Sequence, residues 1–249
     1  MRVLVLGHKG MLGHMVYKYL STKEDCELYT TDLRWPTEEF KDFIIDFWYG
    51  REGTYIINCI GAIHQRTNEF DVNTDLPIWL DDNIDYNLSG CKVIHPGTDC
   101  EMDDDDYGNS KRKAAEYLKE TGCMTKIIKT SIIGPELTSK VSLLDWFLDC
   151  GNEVSGYSEA YWNGNTTFQW AKICYDMMKN YDKYGVENII ASLCISKYEL
   201  LNKIKIVYNK DISVVKNSNV KMDKCLVGDI STPSIEKQLE EMKEFYYDN

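Results

Sequence analysis

Tyr107 and Lys111 stand four positions apart in Tyr107-Gly-Asn-Ser-Lys111, with the hydroxyl of Thr98 shortly upstream. On a helix that spacing brings the phenol and the ammonium onto one face. An unperturbed phenol titrates near ~10 and is a poor acid at neutral pH. An ammonium about 4 Å away, at an effective dielectric of about 20, favours the phenolate by roughly 4 kcal/mol. That is about three pKa units, which brings a phenol to about 7, where proton transfer is most useful. The expectation is a proton-donating unit: Tyr107 as acid, Lys111 tuning it, Thr98 adding a hydrogen bond. Tyr-x-x-x-Lys also occurs on ordinary solvated helices, so its weight comes from the surrounding chain.

The N-terminus carries a second motif. Met1-Arg-Val-Leu-Val-Leu6 is an apolar, β-branched run that reads as a buried parallel strand. It leads into Gly7-His-Lys-Gly10-Met-Leu-Gly13 and then a helical pattern to Leu20. A strand, a tight glycine turn and a helix N-terminus together form a pyrophosphate site. Gly7 would allow the turn, Gly10 would let backbone approach phosphate, and Gly13 would let helix and strand pack closely. Lys9, Met11 and Leu12 lie in the same turn. Asp32 follows Gly13 by 19 residues, after the strand Glu27–Thr30. An acid there reads ribose hydroxyls, whereas an arginine accommodates a 2′-phosphate. Asp32-Leu33-Arg34 offers both, and with Lys9 the two cations favour NADP, with NAD as a tolerated substitute. A structural turn, with Asp32 capping the next helix, is the plainer alternative.

Alternating strands and helices position these groups. Tyr55–Asn58, Lys92–His95 and Lys126–Lys129 read as further strands. Asp71–Asn87 reads as a helix despite Pro77, and Tyr107–Glu120 as a helix closed by Gly122. This rhythm predicts an α/β fold, a Rossmann-type doubly wound parallel sheet with a small C-terminal α/β substrate lobe. Gly7, Asp32, Asn58, Thr98 and Thr130 all fall at strand carboxyl ends, where such sheets bind ligands. The expected division is 1–134 as NAD(P)-binding domain and 135–249 as mainly the substrate-binding lobe, with some of its elements packing back on the first domain. Ser234–Tyr246 reads as a closing helix with a capping serine.

Bulk properties fit an enzyme-sized chain of 249 residues with 43% hydrophobic content. No apolar run approaches the ~18 residues of a membrane span, and the N-terminus reads as a strand rather than a leader. Nine irregularly spaced cysteines with no C-x-x-C pair argue against a disulfide framework and a zinc site. They are expected as buried thiols in a reducing cytoplasm, with no metal. A net charge of −12 works against phosphate-mediated nucleic-acid binding.

Gly7-x-x-Gly10-x-x-Gly13, Ile57-Asn-Cys-Ile-Gly-Ala62, Thr98-Asp99, Tyr107-x-x-x-Lys111 and Lys129-Thr-Ser-Ile-Ile-Gly134 together resemble the extended short-chain dehydrogenase/reductases. Within that family they look most like the dTDP-4-dehydrorhamnose reductase group and its nucleotide-sugar relatives. The likeness continues through Tyr161-Trp-Asn-Gly-Asn-Thr166 and Ile195-Ser-Lys-Tyr-Glu-Leu-Leu201. The resemblance implies hydride transfer from NADPH to the C4 ketone of a nucleoside-diphosphate-linked 4-keto-6-deoxy-hexose. It implies that Tyr107 protonates the forming alkoxide, Thr98 hydrogen-bonds that oxygen, and Lys111 lowers the tyrosine pKa and holds the nicotinamide ribose. Cys59, Ile60 and Gly61 would pass beside the cofactor as backbone, with Thr130, Ser131 and Ile132 near the nicotinamide. Asn73 would support the lysine through water. Asp99, Cys100, Tyr161, Trp162 and Asn163 would contact the substrate.

The chain departs from that family in two places. Only Asp99 to Asp106 separate Thr98 from Tyr107, where relatives have a long loop, and Gly97 stands where they often have serine. The short loop still reaches, at about 3.3 Å per residue, and its acidic run suits a helix N-terminus. Cys100 matches the acid/base cysteine of epimerase-reductases in position, so 3- or 5-epimerisation joins the expected activities, with pocket lining as the alternative and His64 an unassigned second group. From a different class, the same fold serves as a catalytically silent NADP-binding regulatory subunit. The nucleoside, dTDP or UDP, and the oligomeric state, a homodimer included, stay open.

Overall fold

The computed structural model describes residues 1–49, 51–84, 90–121 and 124–248. The chain divides into two compact units: Met1–Lys129 with Ala171–Asn188, and Thr130–Trp170 with Ile189–Asn249. The cut falls at 129/130 rather than the expected 134/135, and residues 171–188 return to the first unit. That return is carried by tertiary packing rather than by any break in composition.

In chain order the strands are β1 (Arg2–Leu6), β2 (Glu27–Thr30), β3 (Thr54–Asn58), β4 (Lys92–Gly97), β5 (Thr125–Lys129), β6 (Ile132–Ile133), β7 (Glu153–Trp162), β8 (Asn165–Thr166), β9 (Glu187–Ala191), β10 (Ile195–Ser196), β11 (Ser213–Lys224) and β12 (Ile230–Ser231). A seven-stranded sheet runs β2-β1-β3-β4-β5-β9-β12. Its registers are parallel, with Val3 opposite both Leu28 and Tyr55, and Ile57 opposite Ile94. This is the expected Rossmann-type sheet. From β1 the chain steps to β2 on one side and to β3 on the other, so the order reverses there. At such a reversal the strand ends leave a crevice.

The helices are α1 (Met11–Leu20), α2 (Glu38–Trp48), α3 (Val72–Asn83), α4 (Asp106–Thr121), α5 (Leu143–Asp149), α6 (Thr167–Lys179), α7 (Lys197–Val207) and α8 (Ile235–Tyr247). Thr37, not Asp32, caps α2, its side chain accepting the Phe40 N–H at 3.3 Å. Phe40, Ile44, Phe47 and Trp48 then recur at helical spacing and bury against Leu4, Leu6, Ile56, Leu76 and Leu80. Each such side chain contributes about 1.5–3 kcal/mol on leaving water. That burial presses α2 and α3 onto the sheet and fixes the strand ends. α3 tolerates Pro77 and ends at Asn83; the remainder of the expected helix, like its expected counterpart Gly122 after α4, lies outside the described residues.

In the second unit β10-β7-β11 form a three-stranded sheet and β6 pairs with β8. The expected closing helix is present, with Ser234 accepting the Lys237 N–H at 3.4 Å. No helix among the described residues is long and apolar enough to cross a membrane.

Candidate active site

β1 ends in a turn whose form requires glycine. Gly7 has φ +71°, and a Cβ there would lie 2.8 Å from the Cys59 carbonyl oxygen. A Cβ on Gly13 would lie 2.2 Å from the Gly7 carbonyl oxygen, so α1 packs on the turn at a distance no side chain allows. Gly10 occupies the N-cap of α1 with no side-chain cap and no acidic residue in the first turn. The N-terminal amides near Met11 and Leu12 are therefore left for an anion. The pyrophosphate of a dinucleotide fits this cradle.

One loop joins the cradle to the proton-transfer groups. Asn58 closes β3: its Oδ1 accepts the Ile60 N–H at 3.1 Å, and its Nδ2 lies 3.2 Å from His95 Nδ1. Burial, reinforced by the charge of Lys111, holds His95 well below its ordinary pKa, so the ring is neutral and accepts from Asn58. Cys59 and Ile60 lie against Gly7 at one end of this loop. At its other end a Cβ on Gly61 would sit 3.6 Å from Lys111 Nζ and 3.3 Å from Asn73 Oδ1. Asn73, fully buried, accepts the Ala62 N–H at 2.8 Å and donates to the Ala62 carbonyl at 3.0 Å and to Ser110 Oγ at 3.2 Å. Asn73 thus staples the loop to α4 directly, with both of its N–H groups committed to protein atoms.

Thr98 follows β4 and begins the turn Asp99–Met102 with a reciprocal cap. Its Oγ1 accepts the Cys100 N–H at 3.2 Å, and Glu101 Oε1 accepts the Thr98 N–H at 3.0 Å. The acidic run does what an N-terminal lead-in should: Asp105 Oδ1 takes the Gly108 N–H at 2.7 Å, and Oδ2 lies 3.3 Å from His64 Nε2. The short loop packs so closely that a Cβ on Gly108 would meet the Cys100 carbonyl at 2.4 Å. The His64 ring packs 5.3 Å from that of Tyr107, and Phe70 packs 5.7 Å from it.

Tyr107 is not the acidified phenol the spacing predicted. Burial raises it above its ordinary value, as do the charges of Cys100, Asp99 and Glu101, while a hydrogen bond from Thr98 lowers it. Desolvation is the largest of these effects, because the phenolate would have to be held away from water. Lys111, itself 7% exposed, is lowered to about 8 by burial, with Glu101 and Cys59 pulling it back up. The arrangement is a protonated phenol beside an ammonium that loses its charge just above neutral pH. Cys100 is half-buried, its Sγ 3.7 Å from Asp99 Oδ1.

At the end of β2, Lys9 Nζ lies 2.7 Å from Asp32 Oδ1 and His8 Nε2 3.7 Å from it. The Lys9 hydrogen bond, with the charges of His8 and Arg34, holds the Asp32 carboxyl below the usual range despite some desolvation. Leu33 and Arg34 are exposed beside it. His8 went unremarked in the sequence because a histidine inside a glycine turn has no distinguishing spacing.

In the second unit, Thr130 is buried and accepts from Asn165 Nδ2 at 2.8 Å, and Ile132 pairs with Asn165 in the β6–β8 ladder. Tyr161 is exposed, but Trp162 is 1% exposed with Lys197 Nζ 5.0 Å from its ring centroid. Asn163 holds both the carbonyl (2.8 Å) and N–H (2.9 Å) of Leu226. The latter two therefore have packing and pinning contacts of their own. The thiol expectation needs correction: Cys194 and Cys225 form a disulfide, 31 residues apart in sequence. No spacing motif announces it, because the pairing is made by the turns after β9 and β11. Cys91 and Cys174 are buried.

No family model matches the chain, and no curated relative does. Solved structures do. The dTDP-4-dehydrorhamnose reductase of Bacillus anthracis in complex with NADP superposes at a TM-score of 0.76 and 17% identity, covering 100% of this chain and 99% of that one. The fold is shared with nucleotide-sugar reductases. The dTDP-4-dehydrorhamnose reductase of Clostridium acetobutylicum gives a TM-score of 0.72 at 17% identity, over 98% of this chain and 99% of that one. The GDP-mannoheptose C4 reductase of Campylobacter jejuni with NADP bound gives 0.68 at 13% identity, over 98% of each.

Proposed function

We propose that the protein is an NADPH-dependent reductase of the extended short-chain type, acting on the C4 ketone of a nucleoside-diphosphate-linked 4-keto-6-deoxy-hexose. The observation that carries this reading is the Cys59–Ala62 loop, which touches the glycine cradle at one end and Lys111 at the other. A dinucleotide held by its pyrophosphate at Gly7–Gly13 extends along that loop toward Tyr107. NADPH, when bound, supplies the hydride. Tyr107, protonated throughout the neutral range, gives its proton to the developing C4 alkoxide. Thr98 donates a hydrogen bond to the same oxygen, and the Lys111 ammonium holds the nicotinamide ribose and offsets the negative charge that forms. Asp32 reads the adenosine ribose, with Lys9 and Arg34 receiving a 2′-phosphate.

The intact Thr98, Tyr107 and Lys111 favour an enzyme over a silent NADP-binding subunit. The test is NADPH consumption against a panel of dTDP- and UDP-linked 4-keto-6-deoxy sugars, with and without N-acetyl groups. Turnover of at least one, abolished in Tyr107→Phe, is expected; NADPH binding without turnover of any would make the protein a binding subunit. Epimerisation through Cys100 is read separately, by running the reaction in D₂O. Deuterium at C3 or C5 of the product, lost in Cys100→Ser, assigns the thiol as acid/base. An unlabelled product leaves Cys100 lining the pocket.

A further inference from the structure

Glu101 is buried to 3% exposure in the turn between Thr98 and Tyr107, where a carboxylate is costly. Its environment is built to hold the charge. Oε1 accepts the Thr98 N–H at 3.0 Å, and Oε2 lies 2.6 Å from Lys129 Nζ at the end of β5. Lys129 is shared with Glu187 at 3.5 Å, which in turn meets Lys119 at 3.4 Å. Arg112 donates to the Glu101 carbonyl at 2.8 Å, tying the turn to α4.

Gly97 belongs to the same device. A Cβ there would meet Glu101 Oε1 at 3.0 Å, Ile127 Cγ2 at 2.9 Å and Lys129 Cβ at 3.1 Å. The missing side chain at Gly97 is thus the space the carboxylate and its lysine occupy, which gives a physical reason for one of the two departures from the family pattern.

Resting on the reductase reading, we infer that Glu101 is a positioning residue of the reduction, fixing Thr98 through its backbone and keeping Lys111 charged. The groups whose charges act with Lys111 are Glu101 from the turn, Cys59 from the loop after β3 and His95 from β4. Of these, His95 is neutral and the buried Cys59 thiol is raised above its usual value. Glu101 is the resident anion among them. A carboxylate favours the ammonium, and the ammonium offsets the negative charge that forms on the ketone oxygen.

The test uses the full chain labelled at lysine Cε with ¹³C, the Lys111 signal being assigned by its loss in Lys111→Arg. Glu101→Gln should make Lys111 titrate about one pH unit lower than in the wild type. The alkaline limb of kcat for reduction should move down by the same amount. Glu101→Gln/Lys129→Met, which leaves no unpaired buried ammonium, should show the same displacement, and it carries the test where the single variant does not fold. A merely structural role predicts instead that the double variant returns Lys111 and the alkaline limb to wild-type values, and that outcome overturns the inference. Unchanged Lys111 titration in either variant overturns it too, whatever sugar is reduced. A displaced Lys111 titration in a protein that reduces no 4-keto sugar overturns the parent reading and leaves the electrostatic assignment of Glu101 standing.

Discussion

Tyr107, Lys111 and Thr98 could be picked out by residue type and spacing, but their protonation could not. The i, i+4 spacing places an ammonium near the phenol; burial of the whole turn then raises the phenol rather than acidifying it. In the proposed reduction Tyr107 gives its proton from the neutral form, and Tyr107→Phe should lower turnover by roughly 10²–10⁴-fold with cofactor binding nearly unchanged. Stopped-flow turnover beside a fluorescence titration of NADPH separates the two; a variant keeping a third of wild-type turnover removes Tyr107 from the mechanism. Lys111 sets a second expectation. Its ammonium is lost as pH rises through about 8, so reduction should fall on that alkaline side and hold below it. At the adenosine end, Arg34→Ala should weaken NADPH relative to NADH by about 1.5–3 kcal/mol, as for a charged hydrogen bond. Equal loss for both cofactors would leave Asp32, already paired with Lys9, as the reader of the ribose.

At the scale of elements, the glycine turn was legible because its physical demands are local. Gly7 needs a left-handed backbone and Gly13 a bare Cα, and both demands are met within one βα unit. Gly13→Ala should cost about 3 kcal/mol or more, because its Cβ meets backbone that cannot step aside. A lowered denaturation midpoint together with lost NADPH binding is the expected result; a variant that binds NADPH as well as wild type would show that the turn can open. The bounds and cap of helix α2 were not read from the sequence, although Thr37 and the Phe40–Trp48 stripe mark them in retrospect. Asn73 was placed on the right helix, but its direct bonds to Ala62 and Ser110 were not read. Whether an asparagine clamps a loop or supports a water is decided by which backbone lies opposite, and no spacing along α3 encodes that.

Across the whole molecule, the Cys194–Cys225 disulfide lies entirely within the second unit. Closing a loop with 31 residues of separation removes unfolded-state entropy worth about 3–4 kcal/mol in the chain-entropy account. Reductant, or Cys194→Ser, should lower the denaturation midpoint of that unit, read by near-ultraviolet circular dichroism; superimposable curves with and without reductant would show that the bond contributes nothing. By itself the sequence determined the parallel α/β sheet and the glycine turn, and it singled out Thr98, Tyr107 and Lys111 as candidates. Each of these is written in short-range pattern: apolar β-branched runs, turns that need glycine, and helical periodicity. Tertiary structure alone decided that 171–188 are the residues that return to the first unit, the disulfide, the direct Asn73 clamp and the buried Glu101–Lys129 pair beneath Gly97. These depend on which distant segments meet and on how much water is left between them, and desolvation, which also sets the charge states of Tyr107 and Lys111, is a property of the packed interior rather than of spacing along the chain.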